Sequence, residues 1–214
     1  MKSTLTYGSV NPGVLSRVPS NCRRILDVGC GTGLLGGALK ERRSERYVAG
    51  ITHSEQEAER ARSLLDHVLV EDLETFDFRE LGQFDCVICS HVLEHLRNPA
   101  EVLGRLRQVL ATDATLLIAL PNVLYWRQRL QFLMGRFRYT EGGVMDNTHV
   151  VFFDWTTARS LVGQAGLRLS ASASEGGFPG SRYLGAFGPM LDAISLHVAP
   201  GLLGTQFVLV ATPG

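Results

Sequence analysis

The sequence predicts an α/β fold of Rossmann-like type. It is a three-layer sandwich around a mostly parallel seven-stranded sheet, with an antiparallel last hairpin and a helical lid insertion. Three observations predict it. Short apolar runs alternate with amphipathic runs over the first two thirds of the chain. A strand-like run at 24–28 leads into glycines and then a helical stretch. The alternation then gives way to two late strand-like segments, 167–173 and 206–211.

The elements follow in order. Residues 24–28 are a strand and 34–43 a helix. A second strand spans 47–51, and the Glu-, Ala- and Arg-rich run 54–65 is a helix. A short strand covers 67–70 and a longer, wholly apolar-cored one 84–89. Val102, Leu103, Leu106, Val109 and Leu110 recur at helical spacing over 98–110. Strand 115–120 stops at Pro121. Leu124, Leu130, Leu133 and Met134 set against Arg127 and Arg129 predict a helix over 122–134, and 135–154 reads as irregular. The helix at 155–165 ends at Gly166. No repeat or linker divides the chain. The reading is one domain over 1–214, with a lid and acceptor-site insertion at 122–150 and a glycine-rich covering loop at 175–204. The segment around Tyr7 is expected to add to the cover.

Bulk properties narrow the function. Of 214 residues, 21 are basic and 21 acidic, so the formal charge is zero. Nucleic acid and anionic membranes select basic surfaces, and neither is expected as a partner. Residues 1–7 lack the basic start and apolar run of a leader. The longest late apolar stretch, 184–203, is broken by Pro189, Asp192, His197 and Pro200, so it is a poor membrane span. A cytoplasmic protein is expected. Its four cysteines fit a reducing compartment. Cys86 and Cys89 form a CxxC within a strand. Residues three apart there point to opposite faces, so they read as core thiols.

Glycine is over-represented, at 23 residues. The most informative cluster is Asp27-Val28-Gly29-Cys30-Gly31-Thr32-Gly33, a strand running through alternate glycines into a helix. Glycine permits positive φ and close ligand approach, and the following helix presents N–H groups. Gly31, Gly33 and Gly36 literally match the dinucleotide fingerprint. The register is wrong, however: the first glycine after the strand is Gly29, which puts Leu34 at the third glycine position.

The run from Ile25 to Gly33 resembles instead the first motif of class I S-adenosylmethionine (SAM) methyltransferases, a strand acid followed by GxGxG. The resemblance implies SAM as cofactor, held at Asp27, Gly29, Cys30, Gly31 and Gly33. It extends along the chain. Asp72 and Leu73 stand where the family places an acid and an apolar residue against adenine. The segment from Phe84 to Leu96 resembles the fourth strand and its VLEH continuation, which implies Ser90 and His91 at the cofactor edge. Residues 119–155 resemble a subgroup near the methionine-biosynthesis W proteins. One departure stands out. The family usually ends the second strand with a ribose-binding acid, and Thr52 stands there, with His53, Ser54 or Glu55 as candidate helpers.

His91-Val92-Leu93-Glu94-His95 also matches HxxEH, a zinc-peptidase signature. That signature needs both histidines on one helix, whereas this segment leaves a buried strand. No metal is expected. His95 is read as a helix-start residue or a base at the pocket mouth, and His149 as a candidate base in the lid. Residues 123–140 hold four arginines and no acid before Glu141, interleaved with aromatics. Asn122, Tyr125, Trp126, Arg129 and Tyr139 are therefore the candidate substrate-binding residues. The expected activity is methyl transfer to a small-molecule acceptor, with a hydroxyl favoured. A catalytically weak SAM-fold partner protein and a nicotinamide oxidoreductase are the alternatives. A homodimer is left open.

Overall fold

The structure, a computed structural model, describes residues 10–214. The segment around Tyr7 lies outside the described residues. The chain opens on helix α1 (Pro12–Arg17), whose first turn is capped by the Asn11 carbonyl oxygen of the side chain accepting from Gly13 and Val14 N–H. Strand β1 (Arg24–Val28), helix α2 (Leu34–Arg42), strand β2 (Tyr47–Thr52), helix α3 (Glu55–Ala61) and strand β3 (His67–Val70) follow. Strand β4 (Phe84–Ser90), helix α4 (Pro99–Leu106) and strand β5 (Leu110–Pro121) complete the parallel part. Helices α5 (Trp126–Leu133) and α6 (Trp155–Gln164), strand β6 (Leu167–Gly176), helices α7 (Gly188–Val198) and α8 (Pro200–Leu203), and strand β7 (Gly204–Pro213) end the chain.

The sheet has seven strands in the order β3-β2-β1-β4-β5-β7-β6. β3 to β5 run parallel, and β7 is antiparallel to both β5 and β6. The strand order reverses between β1 and β4, so their carboxyl ends diverge and open a crevice. The strands alternate between two cores. Leu26, Val28, Ile51, Val87 and Cys89 face α4 and α6 through Leu103, Leu106, Leu161 and Val162. Ile25, Val48, Cys86 and Ile88 face α1 to α3 through Val14, Leu35, Leu39 and Ala61. Cys86 and Cys89 thus sit in different cores, as period-two alternation requires, and all four cysteines are buried and free.

Several boundaries differ from the sequence expectation, each for a local reason. Residues 98–110 do not form one helix: α4 ends at Leu106, a short 3-10 turn follows, and Leu110 already pairs with Phe84 in the sheet. The helix expected from 122 starts only at Trp126. Asn122 Oδ1 accepts from Leu124 N–H at 3.0 Å, an Asx-type turn that holds 122–125 out of the helix. The stretch 175–204, expected as a glycine-rich covering loop, carries α7 and α8. Among the described residues no helix is long and apolar enough to cross a membrane.

Arg46 is the buried cation that ties the layers together on the far side of the sheet. It is 5% exposed and donates to the carbonyls of Cys22 (3.3 Å), Leu39 (3.3 Å) and Pro19 (3.2 Å). Arg46→Met keeps the aliphatic stem but strips these carbonyls of their donor. It should cost roughly 2–4 kcal/mol in urea denaturation. A loss below about 1 kcal/mol would mean that the three carbonyls find other donors.

Candidate functional site

A cavity of about 370 Å³ opens at the carboxyl ends of β1 and β4. One wall is the glycine loop, with Asp27, Gly29, Cys30, Gly31 and Thr32. The other carries Ser90, His91, Glu94, His95 and His149. Gly29, Gly31 and Gly33 all have positive φ (73°, 52° and 82°), but they serve different ends. A Cβ on Gly29 would come within 2.5 Å of Val92, and one on Gly33 within 3.0 Å of the Ala61 backbone. These two glycines let the turn pack against its own protein. A Cβ on Gly31 would meet only Glu57 Oε1, 4.0 Å away. Gly31 leaves space where a ligand can lie against the backbone.

Asp27 is the charged group at the foot of this loop. It is 2% exposed, and its Oδ2 is buried without a hydrogen-bond partner. Burial pushes its carboxyl up to about 7. An ionised carboxylate in that position calls for a cation. Cys30, also at the loop, is held far above the ordinary thiol range, first by burial and then by the Asp27 and Glu57 charges, so it is no nucleophile.

At the end of β2, Thr52 is 3% exposed and donates its hydroxyl to Glu57 Oε2 at 2.7 Å. A carboxylate therefore stands beside the β2 terminus after all, supplied by the first turn of α3. The sequence points to His53, Ser54 and Glu55 as helpers and gives Glu57 no prominence. The Ser54-x-x-Glu57 run, a helix-start pattern that puts Glu57 in the first turn beside the end of β2, is the signal that could have found it. His53 is exposed. Asp72 is exposed and accepts from Glu74 N–H, and Leu73 packs into the core facing α4. Thr52, His53, Asp72 and Leu73 lie outside the cavity lining.

The opposite wall begins where β4 ends. His91 is the one non-glycine among the described residues with positive φ (53°), a conformation that a bulky side chain adopts at a cost. Its Nδ1 lies 3.2 Å from Glu94 Oε1, and its Nε2 2.7 Å from Gln206 Oε1. The Gln206 amide donates its Nε2 to Glu175, which fixes Oε1 as the acceptor facing His91. Both imidazole nitrogens thus face oxygens. Burial opposes protonation of His91, but the Glu94 bond and charge outweigh it and raise its pKa. Asn11 Nδ2 also donates to Gln206 Oε1 at 3.0 Å, which brings the α1 cap to the same wall.

Glu94 is 1% exposed, and its Oε2 has no partner. Its main-chain carbonyl accepts from Val150 (2.8 Å) and Val151 (3.0 Å), which docks the 140–151 loop against the turn after β4. That docking brings in His149. The His149 side chain is 5% exposed, with Nδ1 at 3.2 Å from the Val144 carbonyl and Nε2 at 4.0 Å from Glu94 Oε1. Burial lowers its pKa, more than the Glu94 charge raises it. His95 stacks edge-on against His149, with ring centroids 4.9 Å apart.

The structure brings Asp27, Gly29, Cys30, Gly31, Ser90, His91, His95 and His149 together in one cavity. The five candidate acceptor residues of the insertion are not among its lining. Asn122 is fully buried and spends its amide on the Gly201 and Gly204 carbonyls. Arg129 is exposed and donates to Leu124 O and Gly201 O. Tyr139 packs edge-on against Phe137. Tyr125 and Trp126 open α5 beside them. The insertion reaches the cavity through Gly143, Val144 and His149 instead.

A nucleotide-cofactor crevice at the strand-order switch, with a glycine loop and a buried acid beneath it, defines a Rossmann-like transferase or oxidoreductase. The comparisons with known proteins separate the two. A family described as a methyltransferase domain matches residues 13–172, and the chain belongs to this family, the SAM-dependent methyltransferases of class I. The ubiquinone biosynthesis O-methyltransferase of Neisseria meningitidis serogroup A is 29% identical over 128 residues, 55% of this chain and 53% of that protein. The chain thus spans about half the length of the curated relative it matches. The fold is shared with a SAM-dependent methyltransferase from Archaeoglobus fulgidus (TM-score 0.59, 18% identity, 90% of this chain and 86% of that one). It is also shared with the plantazolicin methyltransferase BpumL in complex with SAH (TM-score 0.59, 17% identity, 90% and 77%).

SAM is the cofactor of this family, and the residues present fit it. Its amino-acid end carries an ammonium, which suits the unpartnered Asp27 oxygen, and Gly31 keeps the space beside the loop open.

The Asp27 environment makes a signed prediction for the free protein. An acid raised from 3.8 to about 7 holds its proton longer when folded. Folding stability therefore falls as pH rises from about 4 to about 7, by up to about 4 kcal/mol, and is flat above. Denaturation of wild type and Asp27→Asn across this range should show that fall only in wild type. Parallel pH profiles would remove the raised acid.

Proposed function

We propose that the protein transfers a methyl group from SAM to a hydroxyl of a small-molecule acceptor. The observation that carries this reading is a single cavity that joins the glycine loop to a wall of Glu94, His95 and His149. Bound SAM supplies an electrophilic methyl on a sulfonium, so the chain's task is to bind, align and exclude water. Gly29 to Gly33 and Asp27 hold the amino-acid end. Glu57, whose Oε1 faces the Gly31 position while Thr52 holds its Oε2, takes the ribose in place of the missing strand acid.

The acceptor enters between the glycine loop and the 143–149 segment. An acceptor hydroxyl must shed its proton as the methyl arrives. His149 is suited to promote this. Its Nδ1 faces the Val144 carbonyl and so carries the ring proton, which leaves the Nε2 lone pair on the cavity side. His95 packs against that ring and limits its rotation. A hydroxyl acceptor also agrees with the printed name of the Neisseria relative, an O-methyltransferase.

Two variants test the reading. Gly31→Val fills the open position of the glycine loop, and should lower SAM affinity about 100-fold or more in calorimetry. The added Cβ meets no protein atom closer than 4.0 Å, but a branched residue at the Gly31 φ of +52° strains the backbone, so thermal unfolding should stay cooperative at a lowered midpoint. Unchanged SAM affinity would remove the loop from the cofactor site. His149→Ala should lower turnover with a hydroxyl acceptor at least 100-fold and change SAM affinity less than threefold. Undiminished turnover would free His149 of any part in the reaction.

A further inference from the structure

Three lone-pair atoms converge at the acceptor wall. Glu94, His95 and His149 each offer one ligand atom, and these lie within 4.8 Å of one another. The carboxylate is the first reason to look for a cation between them. Glu94 is 1% exposed, Oε1 is engaged by His91, and Oε2 is buried with no partner. A buried carboxylate oxygen left in this state is costly, by about 1–3 kcal/mol or more.

The two histidines give the second reason. His149 Nδ1 faces the Val144 carbonyl at 3.2 Å, an acceptor only, so this nitrogen is the donor and Nε2 carries the lone pair. His95 Nδ1 faces the Thr148 carbonyl at 3.2 Å and the Thr148 hydroxyl oxygen at 3.1 Å. That hydroxyl gives its own hydrogen to Asp146 Oδ1 at 2.5 Å, so it too is an acceptor toward His95. His95 Nδ1 is then also the donor. Both rings have the outer-shell bonding of metal-ligating histidines, with Nδ1 tied to backbone carbonyls and, for His95, a carboxylate behind a hydroxyl.

We propose that Glu94, His95 and His149 bind one divalent transition-metal ion of the zinc, manganese or cobalt kind at the acceptor wall of the cavity. Two imidazoles and one carboxylate are a donor set for these ions rather than for calcium or magnesium. Tetrahedral ligands about 2.0–2.2 Å from an ion stand roughly 3.3 Å apart. The ligand atoms of the three residues, within 4.8 Å of one another, need to close by about 1.5 Å at most to reach this. His91, the remaining histidine of the HxxEH run, is not a ligand here. It engages Glu94 and Gln206 instead, which distinguishes the site from the peptidase arrangement. The ion site departs from the sequence expectation of no metal, because the HxxEH run gives no hint of the distant His149.

Three protein ligands leave at least one coordination position on the cavity side, where all three residues contribute to the lining. That position suits an acceptor whose hydroxyl neighbours a second oxygen, as in a catechol. Coordination favours loss of the hydroxyl proton to water, and His149 then acts through the ion rather than by taking the proton itself. This role toward the acceptor rests on the methyl-transfer reading above. Binding of the ion does not.

The test uses the untagged full chain, stripped with a chelator and titrated with Co²⁺ and Zn²⁺ in calorimetry and visible absorption. Wild type should bind one equivalent of either ion and show the visible bands of cobalt with nitrogen and oxygen ligands. Glu94→Gln and His149→Gln should weaken binding at least tenfold. Magnesium should bind far more weakly than zinc. In wild type, Zn²⁺ should also shift the imidazole resonances of His95 and His149, a measurement that needs no variant to fold. The proposal is overturned if wild type binds no stoichiometric ion, or if both folded variants bind as tightly as wild type. SAM affinity is measured on the same samples. SAM binding without ion binding overturns the ion site alone, and ion binding without SAM binding overturns the methyl-transfer reading alone.

Discussion

The structure depends on two buried carboxyl groups, each with one oxygen that the protein itself leaves without a partner. Asp27 Oδ2 and Glu94 Oε2 are both buried and both without a hydrogen-bond partner, on facing walls of one cavity. Folding normally pairs every such atom, because an orphan costs more than an ordinary hydrogen bond returns. The surrounding residues do not relieve either one. Asp27 answers by holding its proton to about 7, whereas Glu94 sets its other oxygen against the His91 ring. The rest of the fold places these two groups: β1 and β4 diverge at the strand-order switch, where β1 carries Asp27 and the turn after β4 carries Glu94.

Around these charges the chain spends local strain to fix orientation. His91 takes a left-handed backbone so that its ring can turn from the end of β4 toward Glu94. The Glu94 carbonyl, directed the other way, holds Val150 and Val151. One short turn therefore orients a side-chain acid into the cavity and anchors the loop that supplies the third wall residue. Arg17, Glu175, Gln206 and His91 extend the same polar chain outward to α1 and the edge of the sheet.

Much of the molecule is legible in the sequence where the determinants are local. The β1 strand, the glycine turn and α2 fall within twenty residues, and period-two alternation is enough to send Cys86 and Cys89 to different cores. Boundaries are misread where a single side chain redirects the backbone, as Asn122 does before α5. The site is legible on the loop side and much less so on the acceptor side. Glu94, His95 and His149 are brought together by main-chain bonds between segments some fifty residues apart, which no periodicity encodes. Gln206 and Asn11 reach the wall from opposite ends of the chain. The aromatic and basic run 125–139 suggests an acceptor surface because its composition suits one. Composition does not report which way a helix faces, and these side chains turn to solvent and to α8.

The position of β7 carries a consequence for how the molecule comes to exist. β6 precedes β7 in the chain, yet β7 lies between β6 and β5. Until the last strand has left the ribosome, β6 has no neighbour to pair with, and the edge of β5 stays bare. The same strand brings Gln206 to His91, so this wall of the cavity cannot be complete while the earlier part of the chain folds alone. The polypeptide is thus translated with its glycine loop well before the strand that completes the facing wall of the cavity.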